Sequence, residues 1–270
     1  EECCRSIDTI LQLVQNFDFQ PIIDESKKNI RSPLIHFYEL FLEAFEKKMR
    51  NKRGVFYTPQ PVVSFIVQKT HKRLQQDFAL TKGLASTQNW SAVAKDNKQV
   101  AMVLEKNPGF ATRPFVQILD PATGTGTFIL ECIELIRNIM LQSYQEKNMS
   151  LEEQRRDWAE YIRGEGQYHK CGLLDRICAI EIMTTPYYIF HVHMTLLLQN
   201  HPTLPYEFGE KDEIPVYLGN ALDSVNISQA KKNSIYEIKQ SRPITVIIGN
   251  PPYKGEGETR NAWINSLIDD

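Results

Sequence analysis

The sequence lacks the features that mark secreted and membrane-spanning proteins. No run approaches the roughly 18 apolar residues that a transmembrane helix needs. The start, Glu1–Arg5, has neither the basic nor the apolar region of a signal peptide, and no initiator Met, which suggests a piece of a longer chain. The five cysteines form no Cys-x-x-Cys pair and are odd in number. This argues against a disulfide framework or zinc site, and we expect a cytoplasmic location and no membrane partner.

The sequence also lacks an overall basic field. Its formal net charge is −2, so a surface that binds nucleic acid would have to be local or lie on other sequence. The basic run 47–53 could contact phosphates, although a solvated helix end is the more ordinary explanation. No Gly-Lys-Ser/Thr motif is present, so no ATP-driven activity is expected of this chain. His191 and His193 would face apart on a helix, and no metal site is predicted.

Hydrophobic periodicity divides the chain into two parts. Apolar residues at three- and four-residue steps predict a helical segment over 1–50. Over 51–270, strands alternate with helices, which predicts an α/β domain with a mostly parallel sheet and helices on both faces. The predicted strands are Phe115–Leu119, Arg176–Ile182, Pro215–Gly219 and Ile244–Ile248, and the main helices cover 128–144, 151–162 and 186–199. A further helix is predicted to begin after Thr58 as its N-cap, with Pro59 as its first residue. Ser150 and Glu153 have the spacing of a capping box. The polar region 81–113 is predicted to be an irregular insertion, with a short strand or helix around Val100–Leu104.

A glycine-containing loop follows the first predicted strand. Asp120 ends that strand, and Gly124 and Gly126 would let the backbone pass close to a ligand. The spacing is neither the dinucleotide fingerprint nor a phosphate-binding P-loop. An acidic residue beside such a backbone suits an amino-acid-like ligand with an ammonium group. Any strand-to-helix turn can contain Asp and Gly, which is the structural alternative.

Two further polar residues end predicted strands. Glu181 ends the second strand, where a carboxylate can accept hydrogen bonds from both hydroxyls of a ribose, although a solvated or capping Glu would look the same. Asn220 and Ala221 follow the third strand, where a polar side chain could contact an adenine. Asp223 could serve instead.

The fourth predicted strand runs directly into Asn250-Pro251-Pro252-Tyr253. An exocyclic amine is a poor nucleophile because its lone pair is delocalised into the ring. The Asn250 carboxamide and the Pro251 carbonyl can accept hydrogen bonds from such an amine and orient its lone pair. Two prolines hold the backbone rigid, and Tyr253 offers a face for an extruded base. An ordinary Asn-Pro turn is the alternative.

These motifs resemble those of adenine-N6 DNA methyltransferases of the gamma arrangement, in which the cofactor loop precedes the catalytic motif. The resemblance implies a Rossmann-like fold, S-adenosylmethionine as cofactor and double-stranded DNA with a flipped adenine as substrate. The cofactor-binding residues that it implies are Phe56, Tyr57, Thr58, Pro59, Asp120, Pro121, Ala122, Thr123, Gly124, Gly126, Thr127, Phe128, Glu181, Asn220 and Ala221. The implied catalytic residues are Asn250, Pro251, Pro252 and Tyr253.

A more particular resemblance is carried by residues 33–38, by Arg53–Pro59 and by Asn261–Ile264. These stretches resemble type ISP restriction-modification enzymes, in which nuclease, translocase, coupler, methyltransferase and target-recognition domains share one polypeptide. The resemblance implies that 1–50 is the tail of the coupler and that 51–270 is the N-terminal part of the methyltransferase. The sheet would then be incomplete at the C-terminus, and the isolated chain would bind cofactor weakly and methylate little.

Two other functions stay open from the sequence. Asn-Pro-Pro-Tyr also serves enzymes that methylate protein glutamine amides or RNA exocyclic amines, and Phe56–Pro59 favours the DNA enzymes. A second alternative is a non-catalytic module that binds the cofactor within a larger machine.

Overall fold

The computed structural model describes residues 58–222 and 235–251. Its helices are α1 (Gln60–Phe78), α2 (Trp90–Ala94), α3 (Lys98–Lys106), α4 (Thr127–Glu146), α5 (Leu151–Arg163), α6 (Leu173–Arg176), α7 (Thr184–Gln199) and α8 (Ile235–Ser241). Its strands are β1 (Ile118–Asp120), β2 (Ile177–Glu181), β3 (Val216–Leu218) and β4 (Val246–Ile247). Short 3-10 turns cover Gly83–Ala85, Pro108–Phe110 and Gly166–Tyr168.

The four strands form one parallel sheet in the order β3-β2-β1-β4. Strand order reverses at β1, which pairs with β2 on one side and with β4 on the other. In such sheets ligands bind outside the carboxyl ends of the strands at this switch point. The predicted α/β class with a parallel sheet is confirmed. Strands β2, β3 and β4 lie within their predicted ranges, whereas β1 begins three residues later than predicted, at Ile118, and ends one residue later, at Asp120.

Helix α4 is the centre of the core. Its buried face packs against α1, α5 and α7, while α7 also packs on β2 and β3. Every residue of β2 is buried, as expected for a strand covered on both faces. The most deeply buried side chains of α4 and α7 are Ile129, Cys132, Ile133, Ile136, Phe190, Met194 and Leu198.

The region 81–113 was predicted to be irregular, and this is wrong. It contains α2 and α3, and each begins at an asparagine whose side chain accepts hydrogen bonds from the first backbone N–H groups of the helix, Asn89 for α2 and Asn97 for α3. The helix around Val100–Leu104 is confirmed as part of α3. Trp90 packs edge-on against Phe115, with ring centroids 4.9 Å apart, so this region belongs to the core.

Helix starts were predicted with mixed success. Ser150 and Glu153 form the predicted capping box at the start of α5, and Gly164 ends that helix with φ 74°. Thr58 was predicted to cap α1, with Pro59 as its first residue, and this is wrong by one position. Pro59 is the residue before the helix, and no side chain caps it. The short helices α6 and α8 were not predicted.

Several predictions lie outside the described residues. They concern the helical segment 1–50, its boundary with 51–270, the basic run 47–53, and the thiols Cys3 and Cys4, and they stay predictions. Cys132, Cys171 and Cys178 are free thiols. Among the described helices, none combines the length and apolarity needed to cross a membrane.

Candidate cofactor and catalytic site

The loop between β1 and α4 is held by hydrogen bonds at almost every peptide. The backbone N–H of Thr123 donates to the Ile180 carbonyl of β2, at 3.0 Å, and the N–H of Gly126 donates to the Thr123 carbonyl, at 2.9 Å. The N–H of Ala122 donates to Oδ1 of Asp120, at 3.1 Å. These contacts fix the loop above the carboxyl end of the sheet.

Gly124 and Gly126 have positive φ, at 57° and 96°, which favours glycine at both positions. Their surroundings differ. A Cβ on Gly126 would lie 2.0 Å from the Phe190 ring, so α7 packs directly beneath it. A Cβ on Gly124 would meet nothing within 4 Å. The loop is therefore packed on one side and open on the other, where a ligand can approach the backbone.

Asp120 is buried at the carboxyl end of β1, with 1% of its surface exposed. Its Oδ2 atom has no well-aligned hydrogen-bond partner. The pKa of this carboxyl is raised to about 7, mainly by burial and to a smaller extent by the nearby Glu181 carboxylate, while the Ala122 N–H and the Thr123 hydroxyl oppose the rise. A buried carboxyl with one orphaned oxygen is costly, and a cationic ligand group would remove that cost.

Glu181 lies at the end of the neighbouring strand, as predicted, and its two oxygens hold backbone. Oε2 accepts from the N–H of Gly124, at 2.8 Å, and Oε1 accepts from the N–H of Met183, at 2.7 Å. Burial raises its pKa, and the backbone donors oppose that rise. Each carboxylate oxygen has a second lone pair, so Glu181 can hold the loop and still accept from a ligand hydroxyl.

Asn250 follows β4, directly beside the end of β1. A Cβ on Gly249 would lie 2.5 Å from Oδ1 of Asp120, so the backbone just before Asn250 touches that carboxylate. The Nδ2 amide of Asn250 donates to the hydroxyl of Thr58, at 3.0 Å. The structure thus brings together three motifs that are far apart in sequence: the start of α1, the glycine loop and the end of β4.

The remaining loop residues occupy the turn into α4 as the sequence indicated. Pro121 and Ala122 are half-buried, Thr127 begins the helix, and Phe128 is buried in the core. Since Phe128 packs inward, its contact to a ligand would be through the backbone. The N–H of Leu222 donates to the Asn220 side chain, at 2.9 Å, so Asn220 and Ala221 form a turn at the end of β3.

Four of the predicted site residues lie outside the described residues: Phe56, Tyr57, Pro252 and Tyr253. Pro251 is described and exposed. Among the described residues no cluster of metal-binding side chains is found.

The sequence did not single out two residues that the fold brings to this edge. Ile182 is 62% exposed next to Glu181, so a large apolar side chain stands at the mouth of the site. Nothing in the sequence indicated that it is exposed, because Ile182 was predicted to be the last residue of the second strand. His193 is buried, and its Nδ1 lies 3.1 Å from the Thr125 carbonyl in the glycine loop. Sequence spacing alone excluded a metal pair but could not reveal this contact.

Comparisons with known proteins relate the chain to DNA methyltransferases. The sequence model of the N-6 DNA methylase family matches residues 31–158. No curated protein sequence matches the chain.

Solved structures with a similar fold include two type ISP restriction-modification enzymes. The chain is similar to the ATP-dependent type ISP restriction-modification enzyme LlaBIII bound to DNA, with TM-score 0.51 and 21% identity, over 91% of this chain and 14% of that one. It is similar to a nuclease-deletion mutant of the type ISP enzyme LlaGI in complex with a DNA substrate mimic, with TM-score 0.52 and 21% identity, over 89% and 16%. The DrdV–DNA complex gives TM-score 0.51 and 22% identity, over 91% and 19%.

The chain thus spans less than a fifth of the length of these neighbours, and at such identities the similarity establishes the fold. The family match covers the start of α1 and the glycine loop, and the predicted resemblance is confirmed. On these grounds the chain is similar to the N-6 DNA methylase family over residues 31–158.

Proposed function

We propose that this chain forms the cofactor pocket and the adenine pocket of a DNA methyltransferase within a restriction-modification enzyme. The methyl group would pass from S-adenosylmethionine to N6 of an adenine flipped out of double-stranded DNA. The observation that carries the proposal is the convergence of the Asp120–Gly126 loop and Asn250 at the switch point of a parallel sheet.

The described residues fit the cofactor. The orphaned Oδ2 of Asp120 would accept from the ammonium group of the methionine moiety, which would pair a buried carboxylate with a cation. The open face at Gly124 allows close approach of the ligand to the backbone. Glu181 would accept from the ribose hydroxyls, and the exposed Ile182 side chain would cover one face of the cofactor adenine.

Asn250 would act on the acceptor amine. Its carboxamide oxygen and the Pro251 carbonyl would each accept a hydrogen bond from N6, which directs the nitrogen lone pair at the methyl group. When bound, the cofactor supplies an electrophilic methyl group on a sulfonium. N6 would accept that methyl group and release one proton to solvent, while the Asn250 and Pro251 oxygens would hold the amine in place. Tyr253 would stack on the flipped base.

The DNA-bound neighbours support DNA as the substrate, and the type ISP architecture supports fusion to nuclease, translocase and target-recognition domains. The predicted coupler-like role of 1–50 belongs to the same proposal.

The decisive experiment follows transfer of labelled methyl groups by the whole protein to three acceptors: adenine-containing duplex DNA, RNA and a release-factor protein. We expect transfer to DNA alone, and loss of about 100-fold or more in kcat for Asn250→Ala with little change in cofactor affinity. Transfer only to RNA or protein would refute DNA as the substrate. Cofactor binding without transfer to any acceptor would favour a non-catalytic module.

A further inference from the structure

His193 is a polar residue on the apolar face of α7. The side chain is 4% exposed, and its neighbours on that face, Phe190 and Met194, are fully buried hydrophobics. Its Nδ1 lies 3.1 Å from the Thr125 carbonyl oxygen. A carbonyl oxygen only accepts, so Nδ1 carries the ring hydrogen and Nε2 is a bare acceptor.

This arrangement costs stability. Nε2 is buried and has no hydrogen-bond partner. Burial also lowers the pKa of His193 to about 4, so the ring is neutral near pH 7. A leucine or methionine could fill the same space without an orphaned nitrogen. The hydrogen bond that the ring donates to Thr125 therefore explains why a polar side chain occupies this buried position.

That hydrogen bond holds one side of a single peptide group. The peptide that joins Thr125 to Gly126 donates its N–H to the Thr123 carbonyl, at 2.9 Å, and its carbonyl accepts from His193. Glycine residues with positive φ stand on both sides of Thr125, and such a backbone offers little intrinsic resistance to a peptide flip. His193 thus adds the second anchor that the loop sequence itself lacks.

We propose that His193 is a positioning residue, which holds the Thr125–Gly126 peptide in the orientation that binds the cofactor. The inference depends on the proposed function, since the loop it positions is the cofactor loop. His193 touches neither the cofactor nor the target base in this assignment, and it acts through the loop backbone.

A pair of amide variants tests the contact in the whole protein. The Nδ2 of an asparagine can take the place of Nδ1 of histidine, whereas the amide of a glutamine lies where Nε2 lies. We expect His193→Asn to bind S-adenosylhomocysteine within about twofold of the wild type. We expect His193→Gln and His193→Leu to bind about fivefold to tenfold more weakly, as for the loss of one hydrogen bond. Equal affinity in all three variants would overturn the proposal.

Thermal unfolding separates positioning from packing. If the variants lose thermal stability in parallel but bind equally well, His193 only fills space and the proposal is wrong. Hydrogen exchange at the Gly126 amide, in the absence of ligand, gives a readout that does not depend on the cofactor. We expect faster exchange in His193→Gln and unchanged exchange in His193→Asn, and the reverse order would refute the role.

The wild-type protein provides a test that needs no variant. Nitrogen NMR of the His193 ring is expected to show the tautomer with hydrogen on Nδ1 near pH 7. Hydrogen on Nε2 instead would exclude the contact with Thr125. If the wild type binds no S-adenosylhomocysteine, the proposed function fails, while the NMR and exchange results still decide the role of His193 in the loop.

Discussion

Two buried ionisable side chains lie at opposite edges of the sheet, and their surroundings differ. Asp120 ends β1 at the carboxyl edge and leaves one oxygen without a well-aligned hydrogen-bond partner. Arg176 lies just before β2 at the amino edge and is fully buried. Its guanidinium donates to four acceptors, which are the carbonyls of Leu84, Ser86 and Cys171 and the hydroxyl of Tyr161. A satisfied network stabilises a scaffold, whereas an unsatisfied group that costs stability indicates a binding site.

The largest effect on stability is expected at the satisfied edge. Arg176→Met would leave several buried acceptors without a donor, so we expect a loss of about 3 kcal/mol or more in the free energy of unfolding. Urea titration measures it. Affinity of the remaining folded protein for S-adenosylhomocysteine should stay within about threefold. Arg73→Met is the matched control, since the Arg73 side chain is 73% exposed, and it should change little. If Arg176→Met lowered the free energy of unfolding by less than about 1 kcal/mol, the proposed difference between the two edges would be wrong.

Asp120→Asn should have the opposite profile. Without the carboxylate, the ammonium group of the cofactor loses its partner, and we expect affinity to fall about 100-fold. The pKa of Asp120 is raised from 3.8 to about 7 in the folded state. The contribution of Asp120 to folding stability is therefore fully present below pH 3.8 and is lost as pH rises through 7. Asp120→Asn should therefore be as stable as the wild type or more stable at pH 8. Calorimetry and thermal unfolding measure both, with the exposed Asp96→Asn as control.

Sequence patterns predicted the edge at which the site lies, but only part of its contents. Asp120, Glu181 and Asn250 each directly end an apolar run, and parallel strands bring such ends together. The sequence could not show that Glu181 holds Gly124 or that Thr58 meets Asn250, since both contacts join distant segments.

The same limit explains the errors in the fold. Arg176 was assigned to a strand, because a charge before an apolar run gives no sign that it will be buried with four acceptors. The region 81–113 was predicted as irregular from its polar composition, although Asn89 and Asn97 are strong helix caps. Short helices such as α6 and α8 have too few residues to show a period.

Alanine substitutions at the two glycines of the loop separate its packed side from its open side. Gly126→Ala combines φ 96° with a contact to Phe190, and we expect roughly 2 to 4 kcal/mol of destabilisation. Gly124→Ala has open space and should cost only about 1 kcal/mol, but it should weaken cofactor binding about tenfold by blocking the approach. Unfolding and binding titrations on both variants measure this. Equal losses of stability would contradict the difference between the two sides.

The pH dependence of binding should report the unsatisfied carboxyl directly. Below a pH of about 7, Asp120 is protonated in the free protein and must release that proton to pair with a cation. Affinity should therefore fall up to tenfold per pH unit between about pH 7 and pH 5. Above about pH 8 the α-amino group of the ligand loses its charge, so affinity should fall again. Asp120→Asn should remove the acidic limb, and a retained limb would exclude Asp120 as its source.

The smallest effect is expected at the start of α5. A substitution there tests how far the stabilising influence of the Arg176 hydrogen-bond network extends. Ser150→Ala removes the two hydrogen bonds of the Ser150 hydroxyl, which accepts from the Glu153 N–H and donates to the Glu153 carboxylate, and should cost about 1 kcal/mol. Tyr161, which accepts from Arg176, lies about three turns further along the same helix. If the network behaves as a local unit, the costs of Ser150→Ala and Arg176→Met add within about 0.5 kcal/mol in urea titrations. A coupling above that value would mean that Arg176 stabilises all of α5, because loss of either end would then loosen the other.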